Sequence, residues 1–229
     1  MSKLIEFLKN IEAEGILKEL EEDPTTLSIT GIEFVSQSSI PVGYPKIPEN
    51  ALKDLFNILK EDTSIKHLRA DSFSWSLESI KLFAAFFKDP VCQIISISFI
   101  HALNDVSKID ILLAALEANK TVENVKLGHN YLGDKGLDKL INNLSKKSIK
   151  ILELQNTNIR LENGIINNFI KFLKESNTKV LDISSNPIAQ EDLIKLLESI
   201  KETNVSELDI SGIFFDNDLS ILGGESASV

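Results

Sequence analysis

Apolar residues recur along this chain in a four-residue signature spaced i, i+3, i+4, i+7, which is one face of a two-turn helix. The copies are Leu52/Leu55/Phe56/Leu59, Ile80/Phe83/Ala84/Phe87, Ile109/Leu112/Leu113/Leu116, Leu137/Leu140/Ile141/Leu144, Ile166/Phe169/Ile170/Leu173 and Leu193/Leu196/Leu197/Ile200. Their first positions differ by 28, 29, 28, 29 and 27. Between the helices a second signature has apolar residues at positions 1, 4 and 6 of each unit: Ile65, Leu68, Ala70; Cys92, Ile95, Ile97; Val122, Val125, Leu127; Ile149, Leu152, Leu154; Thr178, Leu181, Ile183; Val205, Leu208, Ile210. Positions 4 and 6 alternate with polar neighbours at the period of a strand. A short strand followed by a helix, repeated at a fixed interval near 28 residues, predicts an α/β solenoid with one continuous core.

The ends depart from the repeat. Residues 3 to about 22 read as one helix with Ala13, Ile16, Leu17 and Leu20 on its apolar face and no strand before it, so residues 1–23 are assigned as an N-terminal cap. Repeats occupy 24–212, about seven units, the first opening with a strand at Leu27 and Ile29. Its helix follows late, after a stiff loop over 41–48 that contains Pro41, Pro45 and Pro48. That loop reads either as cap decoration or as a contact loop beside the strands. Residues 213–229 are assigned as a C-terminal cap, Phe214, Phe215, Leu219, Ile221 and Leu222 closing the core, followed by a loose tail from Gly223.

The unit running from Val122 through Asn130, Leu132, Gly136 and Leu137 to Leu144 resembles the ribonuclease-inhibitor type of leucine-rich repeat. The resemblance covers roughly 24–212. The asparagine that this family places after the strand is matched by Asn130 and Asn186, with Phe73, Ile100, Thr157 and Ile213 in that place elsewhere. The glycine of the turn is matched by Gly136 and, one place late, by Gly164. The resemblance implies an arc or horseshoe with parallel strands on the concave face, helices on the convex face, and binding of another protein on the strands. Abundant lysine, asparagine and isoleucine, with arginine only at 69 and 160, make the chain similar to leucine-rich-repeat effectors that intracellular bacteria deliver into host cells; an ordinary cytosolic repeat protein is the alternative.

Charge and chemistry narrow the partners. A net charge of −10 and a pI near 4.9 oppose binding to a phosphate backbone. No run approaches the roughly 20 apolar residues of a membrane span, and the N-terminus lacks the uninterrupted apolar stretch of a secretory signal. A single cysteine points to a reducing compartment, so a cytoplasmic location is expected, in the host if the chain is secreted.

If positions 4 and 6 face the core, positions 3, 5 and 7 face the concave side. Position 5 then holds Ser28, Arg69, Ser96, Lys126, Glu153, Asp182 and Asp209, and position 7 holds Thr30, Asp71, Ser98, Gly128, Gln155, Ser184 and Ser211. The stripe turns acidic toward the C-terminus, which a basic patch on a partner protein would complement, or it is simply the solvated face of a solenoid. Position 8 holds Phe99 and His129 at the rim; Phe99 reads as an exposed anchor or as folded into the turn. Trp75 is expected in the core, and Cys92 is expected to be a buried structural thiol rather than a nucleophile.

No catalytic constellation, metal-ligand spacing or phosphate-cradling loop is evident, so no enzyme activity, metal or cofactor is assigned and the chain is expected to be monomeric. The candidate surface is therefore Arg69, Asp71, Phe99, Lys126, His129, Glu153, Gln155, Asp182 and Asp209, in a protein-binding module. A regulator that accelerates nucleotide hydrolysis by a small GTPase is the alternative, with Arg69 or Arg160 as its finger.

Overall fold

The computed structural model describes residues 2–29, 49–73, 75–103 and 105–214. Two helices, α1 (Ser2–Asn10) and α2 (Glu14–Glu22), precede strand β1 (Thr26–Ser28). A short 3-10 turn (Glu49–Ala51) leads into α3 (Leu52–Glu61), and strands and helices then alternate: β2 (His67–Arg69), α4 (Leu77–Phe87), β3 (Ser96–Ser98), α5 (Val106–Ala118), β4 (Asn124–Lys126), α6 (Gly133–Leu144), β5 (Ile151–Glu153), α7 (Ile165–Glu175), β6 (Val180–Asp182), α8 (Gln190–Ile200) and β7 (Glu207–Asp209). The strands form one parallel sheet in chain order from β1 to β7. This is the leucine-rich-repeat solenoid expected from the repeat. Strands stack about 4.8 Å apart and helices pack about 8–10 Å apart, so the helical side is the longer, convex one.

Each strand is three residues long and turns its central side chain inward. Leu27, Leu68, Ile97, Val125, Leu152 and Leu181 are paired in register and fully buried. The backbone ladder continues past each strand: the N–H at position 6 donates to the carbonyl at position 5 of the next unit, from Ile29 N to Arg69 O (2.8 Å) through Ala70, Phe99, Leu127 and Leu154 to Ile183 N on Asp209 O (3.0 Å). The N–H at position 8 then donates to the carbonyl at position 7 of the next unit. Ser72, His101, His129, Asn156, Ser185 and Gly212 at that position all have positive φ, between 50° and 61°. In the second to seventh units the chain turns out of the sheet at this left-handed residue.

The register corrects one unit. Leu68 pairs with Ile97 and Ile97 with Val125, so Ile97 stands at position 4, and the residues at positions 1 and 6 are Ile94 and Phe99. The sequence signature that puts Cys92, Ile95 and Ile97 at positions 1, 4 and 6 is therefore two residues early. Spacing explains the slip. Leu68 to Ile80, Ile97 to Ile109, Val125 to Leu137 and Leu181 to Leu193 are each 12 positions, whereas Ile95 to Ile109 is 14. Extra chain between α4 and β3, around Asp89 and Pro90, had shifted the count. The true step from Leu152 to Ile166 is 14, so the fifth unit carries two additional residues in its strand-to-helix turn.

The core is continuous. The inward faces of α3 to α7 are buried as their spacing predicts, and Trp75 is in the core. Its N-terminal half is an aromatic knot: Trp75 lies 4.8 Å from Phe73, 5.3 Å from Phe99 and 5.8 Å from Phe83 by ring centroids, and Phe83 is 4.9 Å from Phe99. Ala70, the smallest residue of the position-6 column, adjoins the largest, Phe99, which conserves volume across the layer. The N-terminal cap is two helices rather than one, because Glu12 takes φ 57° and breaks the chain direction. Together they turn Leu4, Leu8, Ala13, Ile16 and Leu20 onto the first end of the core. The 41–48 loop and the expected tail lie outside the described residues.

Two asparagines stitch neighbouring units. Asn130 Nδ2 donates to the carbonyls of Phe99 (2.7 Å) and Leu127 (2.8 Å), while its Oδ1 accepts from Ala102 N (3.1 Å) and Leu103 N (2.7 Å). Asn186 does the same two interfaces on, bonding Leu154 O (2.8 Å), Ile183 O (2.9 Å), Thr157 N (3.0 Å) and Ile159 N (3.0 Å). With the register corrected, Ala102 rather than Ile100 holds this place in the third unit. The preceding interface is held from the sheet instead: Asp71 accepts from Ser98 Oγ and from Ile100 N (2.9 Å). Asn186→Ala strands several buried backbone groups at once and is expected to cost about 3 kcal/mol, each unmet group contributing roughly 1–3 kcal/mol. Asn142→Ala on the exposed side of α6 is expected to change stability by less than about 0.5 kcal/mol. Urea melts of the two variants check this; equal midpoints would show that the asparagine stitch does not hold the units together.

Candidate functional site: the concave strand face and its rim

The concave side of a three-residue strand is its first and third residues, positions 3 and 5, extended by position 7 beyond it. Position 5 comprises Ser28, Arg69, Ser98, Lys126, Glu153, Asp182 and Asp209, in register along the sheet. Ser98 replaces Ser96 in this column, and Ile100 replaces Ser98 at position 7. Phe99, expected at the rim, is fully buried at position 6 and is no part of a binding surface.

Of the charges on this face, the N-terminal ones are matched. Arg69 Nε lies 3.5 Å from Asp71 Oδ2, and Lys126 Nζ lies 2.7 Å from Glu153 Oε1. Arg69, Asp71 and Lys126 border a shallow depression of about 360 Å³ that also takes in Thr26, His67, Ser96, Ser98 and Ile100. Gln155 lies flat over Gly128, whose missing side chain makes room: a Cβ there would sit 2.3 Å from Gln155 Cδ.

The C-terminal charges are not matched. Asp182 accepts a hydrogen bond from Ser184 N (2.9 Å), and Asp209 from Ser211 N (2.8 Å). No salt bridge reaches Asp182, Glu207 or Asp209 among the described residues. Bonds from the Ser211 backbone and hydroxyl hold the Asp209 carboxyl below its usual range, so it stays ionised. Beside these carboxylates, position 3 contributes Ile151 and Val180, adjacent in register and half-buried. The sequence reading followed positions 5 and 7 and passed over this apolar pair, although the same alternation marks it.

His129 is exposed at the rim, at position 8. Its ring stacks on His101 with centroids 4.8 Å apart and planes 9° from parallel, and Asn156 Nδ2 lies 3.0 Å from His129 Nδ1. His101 was missed because the register slip moved it out of that column. The two candidate arginines both stand beside carboxylates: Arg160 NH1 is 3.8 Å from Glu162 Oε1. Among the described residues, no three His, Cys, Asp or Glu side chains converge as metal ligands, and no helix is long and apolar enough to cross a membrane.

With this geometry in view, likenesses to known proteins bear on the fold. No family model matches the chain. Mouse (Mus musculus) ribonuclease inhibitor is 23% identical over 176 residues, an alignment covering 76% of this chain and 39% of the inhibitor. The chain thus spans about two fifths of that curated relative. Among solved structures, the tropomodulin C-terminal domain of Caenorhabditis elegans superposes with a TM-score of 0.55 at 18% identity, over 66% of this chain and 92% of that one. Leiomodin-1 actin-binding site 2 gives 0.50 at 15% identity, over 68% and 86%. These likenesses support the repeat fold and leave the surface to be read from its own residues.

Cys92 is buried, and burial pushes its thiol pKa up. Alkylation by iodoacetamide at neutral pH is expected to be slow in the native protein and fast in denaturant. Rapid native labelling, followed by mass spectrometry, would mean that the thiol is accessible and reopen it as a nucleophile.

Proposed function

We propose that the chain is a non-enzymatic protein-binding module whose concave face receives a basic segment of a partner protein over β5 to β7. The observation that supports this most is the unmatched charge at that end: Asp182, Glu207 and Asp209 lie on adjacent strands without a cation. Arg69 and Lys126, by contrast, are already engaged by Asp71 and Glu153. Like charges about 4.8 Å apart reinforce one another's field and steer a complementary partner toward the face before contact. Ile151 and Val180 give the same surface an apolar strip on which an aliphatic stem or side chain of the partner loses water. Within this reading Gln155, Glu153 and His129 border the contact, and Arg69 and Asp71 frame its far end.

The likenesses agree in kind, since leiomodin-1 contributes an actin-binding segment of this fold. Composition supports the finer reading of a bacterial effector acting in the host cytoplasm, with arginine only at two positions. The GTPase-regulator reading is supported by neither arginine, because each stands beside a carboxylate.

The double variant Glu207→Lys/Asp209→Lys replaces two exposed charges and is expected to melt within about 1 kcal/mol of the parent. In affinity capture from host-cell lysate at low salt it is expected to lose the partner that the parent retains. The parent complex should weaken as ionic strength rises past about 0.1 M, where the screening length is about 10 Å. A variant that folds and captures every partner at the parent's level would place the contact surface elsewhere.

A further inference from the structure

We propose that the strand-exit rim around Tyr131 is a second protein-docking surface, one that takes a partner segment carrying an aliphatic or aromatic side chain beside a carboxylate. Tyr131 and Val106 are the most exposed large apolar residues described, at 67% and 61% of their full accessible surface. They are not scattered. Both line one cleft of about 430 Å³ where the start of α5 in the third unit meets the turns of the fourth and fifth, with buried Ile109 and Leu132 at its apolar floor.

The opposite wall is the turn over 158–164, the one that carries two extra residues. Asn158, Leu161, Asn163 and Gly164 all have positive φ there, and for Leu161 that conformation is uncommon and strained. It is held in place by the neighbouring unit. Asp134 Oδ1 accepts from Arg160 N (2.7 Å) and Leu161 N (2.9 Å), and its Oδ2 accepts from Glu162 N (2.8 Å). The cleft is therefore preformed, which lowers the ordering cost of binding.

Its charges identify the occupant. Lys139 is paired with Asp110 at 2.6 Å and Arg160 with Glu162 at 3.8 Å, and the Asp134 carboxylate is spent on three backbone donors. Lys135 is exposed and makes no ion pair among the described residues, so it is the cation at the cleft mouth that a carboxylate of the incoming segment would meet. Tyr131 also lines a second hollow of about 320 Å³ with His129, Asn156, Pro187 and Phe214. It thus stands as a shared wall that a bound side chain reaches from either direction, the position in which aromatic residues concentrate binding energy.

The test is selection of a displayed random dodecapeptide library against the full chain, followed by titration of the enriched peptide as a synthetic probe. Enriched peptides are expected to pair Leu, Phe, Tyr or Trp with Asp or Glu within about four residues. Tyr131→Ala and Lys135→Glu are each expected to weaken the probe about tenfold or more, a change of about 1.4 kcal/mol. Both residues are exposed, so both variants should fold. The Glu207→Lys/Asp209→Lys protein should bind the probe as the parent does, which separates failure here from failure of the concave-face reading. The proposal is overturned if no peptide is enriched, if enriched peptides are basic, or if binding survives both rim variants. It is equally overturned if the rim instead drives concentration-dependent self-association that Tyr131→Ala abolishes.

Discussion

A strand of three residues has too few groups of its own to hold a conformation, so each unit is defined by the carbonyl row of the next. The donation from position 6 to position 5 of the following strand, unbroken from Ile29 to Ile183, fixes the register. Once register is fixed, positions 4 and 6 must point inward, and the two columns of Leu, Ile, Val and Phe fuse into one core. The helices then have one place to put their apolar faces. A displacement of one residue would exchange core and solvent faces along the whole sheet, which is why a repeat of this kind tolerates variation in its turns far better than in its strands.

The same constraint organises the surface. Since the second to seventh units leave the sheet through a left-handed residue at position 8, the turns that follow are stacked along one rim in the order of the units. Side chains remote in sequence, such as His101 and His129, come into ring contact because each occupies the same step of successive units. Charges follow suit: Lys126 meets Glu153 and Lys139 meets Asp110 across about one repeat of chain. Electrostatics here is a property of columns rather than of local sequence, and a column with the same sign in consecutive units, as at Asp182 and Asp209, has no internal remedy.

How far the sequence is legible depends on whether a signal is periodic. The helix faces, the polarity of position 5 and the burial of Trp75 follow from spacing alone. The position of Phe99 does not, because Ile95, Ile97 and Phe99 alternate equally well in either register, and only the 12-residue step to Ile109 distinguishes them. The break between α1 and α2 is less accessible still: Glu12 is neither glycine nor proline, and its left-handed turn comes from packing Leu4, Leu8 and Ile16 onto the end of the core. Tyr131 and Val106 escape for another reason, since exposure of an apolar residue is a fact of its neighbours and not of its own pattern.

The aromatic knot around Trp75 has a mechanical consequence. Rings fill the interior of the second and third units, whereas Leu208 and Ile210 of the last are only partly buried and Leu197 on α8 is 39% exposed. In a linear stack cohesion is local, so among the described residues the units around Trp75 are held by more ring contacts than those around β7. The unmatched carboxylates sit at this less buried end. A ligand seated there would also act as an added layer on the sheet, and part of its binding free energy would appear as added protection of α8 and β7 against opening.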